Sequence, residues 1–258
     1  MRFGAFQFKA NGSLTDNLSS IERGIQIAAE RRVRFLLTQE CALTGYPPIE
    51  LQSVSELDFD QVNQALARVQ HLAAKHNMVI TIGTILMEGG QRRDSVVVIF
   101  PDPGWRQVYS KRALWGWDLE NFVAGDGSGV LTVDDVRIGI RICYEIRFPE
   151  YFRELFKSNV DVALVSMSDV ADAENKERYE IIRSHMITRA VENAFYLMSA
   201  NSISKIQTAP TCWVTPDGDA AGVAPATREH LILFDYEKEE PNFGRKGRIA
   251  ISRKLLGI

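Results

Sequence analysis

Residues 2–40 read RFGAFQFKANGSLTDNLSSIERGIQIAAERRVRFLLTQE, and the order of apolar patterns in this stretch decides the fold class. Arg2 to Phe8 is a short apolar run rich in aromatic residues, as a buried strand requires. From about Thr15 to Arg32 the spacing becomes helical: Leu18, Ile21, Ile25 and Ala28 or Ala29 fall on one face, and Asp16 and Asn17 can cap the start. Val33 to Gln39 is apolar again and ends at Glu40. A strand, a helix with one apolar face and a second strand in succession predict an α/β unit with the helix lying on the sheet.

The scheme repeats outward from there. An amphipathic helix over Phe59 to His76 precedes a strand over Met78 to Leu86, and Ser95 to Phe100 pairs with Trp105 to Tyr109 across the turn Pro101-Asp102-Pro103-Gly104. Lys111 follows directly. Asp134-Asp135 joins Val130 to Val133 with Val136 to Ile142 as a hairpin; a helix from Pro149 to Lys157 leads to a buried strand over Val160 to Met167. A long helix over Glu174 to Asn193 is followed by strands over Phe195 to Ala200, Thr211 to Thr215 and His230 to Tyr236. With no repeat period and no low-complexity linker, residues 1–258 are expected to form one domain, with 240–258 a tail at an oligomer interface.

Bulk properties exclude several function classes. A net charge of −3 among 24% charged residues gives no electrostatic footprint for nucleic acid. No window has the apolar length of a membrane span or a secretory signal, so a cytoplasmic location is expected. The three cysteines, Cys41, Cys143 and Cys212, lack metal-site spacing and are odd in number, which supports neither a zinc site nor a disulfide framework. The histidines show no ligand spacing, and the glycine-rich run Gly125 to Gly129 lacks the lysine and following helix of a phosphate loop.

Three polar residues stand at the carboxyl ends of apolar strands: Glu40 after RFLLTQ, Lys111 after WRQVYS and Cys143 after VRIGIRI. That edge of an α/β sheet is where strands fix position and loops stay open to ligand. Singly, each has a plain structural explanation as a solvated charge or a core cysteine. Together they sit in QECALTGYPP, YSKRALW and GIRICYEIRFPE, which resemble the three blocks of the nitrilase, or carbon-nitrogen hydrolase, superfamily. The resemblance runs from the GAFQF strand to the Pro216-Asp217-Gly218 turn. It implies a four-layer α-β-β-α sandwich with two mixed sheets, an amidase-like activity and homodimers formed through helical faces. It also implies Glu40 as general base, Lys111 as stabiliser of the transition state and Cys143 as nucleophile, with Glu120 in LENFVAG orienting the lysine and the substrate. Arg189 to Asn193 resembles the family's structural Arg-Ala-x-Glu-Asn helix.

Physical chemistry accommodates those roles. A thiol with an ordinary pKa of about 8.5 is mostly protonated at neutral pH and needs a base or a cation beside it. Burial of Glu40 raises its pKa toward neutrality, and an ammonium kept charged by Glu40 and Glu120 can act with the Tyr144 backbone N–H on a developing oxyanion. The expected reaction is hydrolysis of a small linear carboxamide through a thioester, with no metal or organic cofactor. Tyr46, Trp115, Arg147 and Ser168 are candidate substrate contacts, although Arg147 is read first as pairing with Glu145 or Glu150 to set the loop. Two competing functions are an N-carbamoyl amidohydrolase, which wants a carboxylate anchor such as Arg147, and a non-catalytic interaction protein on the same scaffold. Departures from the family pattern at Ser166 to Val170, at Ile182 and at Ala209 with Thr211 touch the substrate wall and leave the Glu, Lys and Cys intact.

Overall fold

The computed structural model describes residues 1–104 and 106–258. In chain order the first half builds β1 (Arg2–Gln7), α1 (Leu14–Glu30), β2 (Phe35–Thr38), α2 (Phe59–His76), β3 (Val79–Glu88), β4 (Gln91–Ile99), β5 (Arg106–Ser110) and the single-turn α3 (Asp118–Asn121). The second half builds β6 (Val130–Val133), β7 (Val136–Ile142), α4 (Pro149–Lys157), β8 (Val162–Met167), β9 (Val170–Ala171), α5 (Lys176–Asn193) and β10 (Tyr196–Asn201). It ends with β11 (Ile206–Gln207), β12 (Cys212–Val214), β13 (Ala220–Val223), β14 (His230–Asp235) and α6 (Phe243–Leu256). The expected hairpins of β4 with β5 and β6 with β7 are present, and Trp105, the expected first residue of β5, lies outside the described residues.

Two mixed six-stranded sheets form, in the orders β14-β1-β2-β3-β4-β5 and β13-β12-β10-β8-β7-β6. In each the central strands are parallel and the flanking ones antiparallel. Alternation along the strands gives each sheet two apolar faces. Phe3, Phe35, Val98, Ile140, Leu164 and Met198 belong to the core between the sheets. Phe6, Leu36 and Ile80 pack instead with Ile21 and Ile25 of α1 and Val69 of α2, and Val165 and Leu197 pack with Phe152 of α4 and Met186 of α5. The layers are therefore α-β-β-α, as the resemblance implies.

Local differences from the sequence reading have simple causes. Ser13, not Asp16 or Asn17, caps α1, its side chain accepting from Asp16 N at 3.3 Å. Asn17 is buried and spans two loops, donating to Asn11 O at 2.7 Å and Leu43 O at 3.1 Å. The tail forms a helix, capped by the Asn242 side chain and closed by Gly257 at φ +68°. Arg245 and Arg248 hold it to Asp217 at 2.7 and 2.9 Å. Among the described residues no helix is long and apolar enough to cross a membrane.

Candidate active site

Glu40 stands two residues beyond β2, where the chain is gripped from both sheets. Gln39 exchanges hydrogen bonds with the Phe8 backbone at 2.9 and 3.1 Å, and Glu40 N donates to Met167 O of β8 at 3.3 Å. Gly83 of β3 backs this segment so closely that a Cβ there would lie 2.9 Å from Glu40 Cα. Lys111 follows β5, its N–H donating to Asp94 O of β4 at 2.8 Å. Cys143 ends β7 in the left-handed region at φ +38°, a conformation that costs a non-glycine residue about 1–3 kcal/mol and persists only where the surroundings enforce it.

The enforcement is visible beneath the cysteine. Residues 143–147 form a 3-10 turn, and the buried Glu145 side chain accepts from Ile142 N and Arg112 N, both at 2.7 Å, and from Tyr109 Oη at 2.8 Å. Arg189 of α5 donates to Ile146 O and Arg147 O, each at 3.1 Å, closing the far end of the turn. These contacts assign Arg189 the structural role that its motif implies. As the first residue within the turn after Cys143, Tyr144 carries one of the backbone N–H groups that a helical start leaves without an intrahelical acceptor.

At the base of the site Lys111 Nζ lies 2.6 Å from Glu40 Oε1, 2.8 Å from Asp118 Oδ2 and 3.4 Å from Asp94 Oδ2, with all four side chains no more than 1% exposed. Ser168 N donates to the other Glu40 oxygen at 2.8 Å. Tyr46 Oη donates to Asp118 Oδ1 at 2.7 Å, and its ring centroid lies 5.5 Å from the ammonium. Burial pushes the Glu40 carboxyl well above the ordinary carboxylate range; Lys111 opposes this, and neighbouring carboxylates add to it wherever they are ionised. Burial alone would lower the Lys111 ammonium, but the surrounding carboxylates overcome it and hold it well above its usual value. Burial, then the Glu40 charge, pushes the Cys143 thiol up, while Lys111 pulls the other way. Cys143 thus lies half-buried at the edge of a fully buried charge cluster, in surroundings that favour its neutral form.

Glu120 is exposed and does not flank Lys111; Asp118 occupies that place. Two residues along a helical turn rotate a side chain by about 200°, so once Asp118 faces inward Glu120 faces solvent. Trp115 N fixes Asp118 Oδ2 at 3.0 Å, while the Trp115 side chain is 47% exposed at the rim, its ring 6.4 Å from that of Tyr144. Among the described residues Arg147 has no ion pair with Glu145 or Glu150, since Glu145 is committed beneath the turn; its guanidinium lies 5.7 Å over the Tyr144 ring. Ser168 contributes its backbone, and among the described residues its buried Oγ has no hydrogen-bond partner.

Sequence reading missed Asp94, Asp118 and a charged rim. Asp169, next to Ser168, accepts from Arg178 Nε at 2.9 Å and from Thr208 Oγ1. The Asp169 charge also favours the neutral form of the Cys143 thiol.

The carbon-nitrogen hydrolase family profile matches residues 3–239. A 2-oxoglutaramate amidase from Bacillus subtilis is 24% identical over 227 residues, spanning 87% of this chain and 78% of that one. An (R)-stereoselective amidase from a Pseudomonas species is 26% identical over 130 residues, a match that spans 50% of this chain and 45% of that one. In fold, the chain is similar over its whole length to a variant of the amidase from Nesterenkonia sp. AN1 solved in complex with butyramide, with a TM-score of 0.83, 23% identity and 95% of that chain covered.

Proposed function

Because the chain belongs to the carbon-nitrogen hydrolase family, we propose that it hydrolyses a small linear carboxamide to the acid and ammonia, with Cys143 as nucleophile, Glu40 as base and acid, and Lys111 as the fixed cation. The observation that carries this reading is the buried Lys111–Glu40 pair at 2.6 Å, electrostatically coupled to a strained, half-buried cysteine at the adjoining strand end. A cysteine held only for packing has no need of a left-handed backbone beside a dry carboxylate.

The neutral thiol sets the order of events. As Cys143 Sγ bonds to the amide carbon, its proton passes to Glu40 and the carbonyl electron pair moves onto oxygen. Protonation of Glu40 weakens its hold on Lys111, so the ammonium is released toward the new oxyanion, which the Tyr144 N–H also faces. Glu40 then protonates the amide nitrogen, the C–N bond breaks and ammonia leaves a thioester. Water attacks the thioester, its proton passing to Glu40 and then to sulfur as the C–S bond breaks. The unpartnered Ser168 Oγ is a hydrogen-bonding group for the substrate.

A second reading, hydrolysis of an N-carbamoyl compound to ammonia, carbon dioxide and an amine, is favoured by the Arg147 guanidinium, which among the described residues pairs with no carboxylate. The test is ammonia release from short aliphatic amides beginning with butyramide, ω-amides, N-carbamoyl compounds and nitriles, with carbon dioxide measured in parallel. The parent turns over a linear amide without carbon dioxide, and a folded Cys143→Ala variant turns over nothing. Activity retained by that variant overturns the assignment.

A further inference from the structure

Asp94 differs from the other two carboxyls around Lys111. Glu40 Oε2 receives Ser168 N, and Asp118 receives Tyr46 Oη and Trp115 N. Among the described residues Asp94 Oδ1 has only the weakly donating Cys41 thiol at 3.6 Å, and its Oδ2, at 3.4 Å from Lys111 Nζ, has no hydrogen-bond donor. One ammonium therefore faces three carboxyls in a space where all side chains are within 1% of complete burial. With all three ionised the cluster would carry two uncompensated negative charges, and an unpaired buried ion is expensive by several kcal/mol. Among the described residues the other groups facing it supply no second cation: Cys41, Tyr46 and Glu50 come from the loop after β2, and Cys143 directly follows β7.

We propose that Asp94 is a positioning residue for the reaction above: its carboxyl is protonated in the resting protein, so that it and Glu40 together carry a single negative charge. The inference rests on the assignment of Glu40 as base. Asp94 is the acid of the pair because Glu40 has the closer contact with the ammonium, 2.6 against 3.4 Å, and also receives the Ser168 N–H, whereas Asp94 has the fewest donors of the three carboxyls among the described residues. The proton is not consumed. When Glu40 takes the thiol proton, negative charge moves to the oxyanion, and the Asp94 proton keeps the cluster from gaining another charge throughout.

Infrared spectroscopy of the unmodified protein tests this without reference to activity. At pH 7 we expect a protonated-carboxyl C=O band that shifts on carbon-13 labelling of aspartate and is absent from Asp94→Asn. A spectrum without an aspartate-sensitive band overturns the proposal, even where the Cys143→Ala result has upheld the hydrolase. The pH profile of kcat/KM gives a second readout. Asn is a neutral isostere of the protonated acid, so Asp94→Asn leaves the acid limb within a few tenths of a pH unit of the parent. If Asp94 were ionised, removing its charge beside Glu40 would move that limb down by about a unit or more; such a shift refutes the assignment.

Discussion

Replacing Lys111 by Met keeps the length of the side chain and removes its charge, leaving Glu40, Asp94 and Asp118 in a dry cluster without their cation. Removing one partner of a buried ion pair costs about 3–5 kcal/mol, because the remaining charge is stranded away from water. At about 2–4 °C per kcal/mol for a chain of this size, the melting temperature should fall by roughly 10 °C at pH 8. The cost must depend on pH, and its sign is fixed. Glu40 and Asp94 have folded pKa values above their unfolded ones, so their contribution is intact below the unfolded value near 4 and is lost as pH rises through the folded values. Thermal and urea unfolding of parent and variant across pH 5 to 8 should therefore show a gap that widens toward pH 8. A gap that is absent, or equal at both ends, refutes the account of Lys111 as the counter-ion of the cluster. Loss of ammonia release alone would not test it, since Lys111 is also proposed to act on the reacting atoms.

Two further outcomes follow from placement. Iodoacetamide should label Cys143 well before Cys41 and Cys212, which are 0% and 1% exposed, and its rate should climb with pH because the thiol starts neutral; mass spectrometry finding equal labelling of the three in folded protein would contradict the described site. Gly83→Ala should destabilise by at least the ~1–3 kcal/mol of an overpacked core and lower kcat, since the new methyl would press on Gln39 O, Cys41 N and Glu40 Cα; a variant as stable and active as the parent would show that the Glu40 loop is not so tightly backed.

How much of this was legible beforehand depends on the range of the interactions involved. The bounds of α2 and α4 match the sequence reading because a capping Asp58, an opening Pro149 and a strong apolar stripe act within a few residues. Glu40, Lys111 and Cys143 were legible because each follows an apolar strand within a recognisable block. Asp118 was not, because choosing between it and Glu120 requires the phase of one helical turn, which Trp115 N and Tyr46 Oη set from outside. Asp94 reads as an ordinary polar residue at the start of a strand, and only the β4–β5 pairing, which puts Lys111 N on Asp94 O, brings it under the ammonium. The two-residue strands β9 and β11 have too few positions to show any period.

The charge arrangement also bears on how the cysteine is activated. Two routes are open to a cysteine hydrolase: a thiolate held ready by a cation, or a neutral thiol that loses its proton during attack. A cation can lower a thiol pKa only by the charge it has left to offer, and Lys111 is already paired with Glu40 and Asp118. Burial and the Glu40 charge both favour the neutral thiol. The second route therefore fits this geometry, and it gives the carboxylates a purpose beyond holding the lysine. In the proposed mechanism, keeping the ammonium committed at rest reserves its charge for the moment when Glu40 is protonated and the oxyanion appears. Electrostatic stabilisation is then stronger in the transition state than in the ground state, which is the condition for accelerating the chemical step.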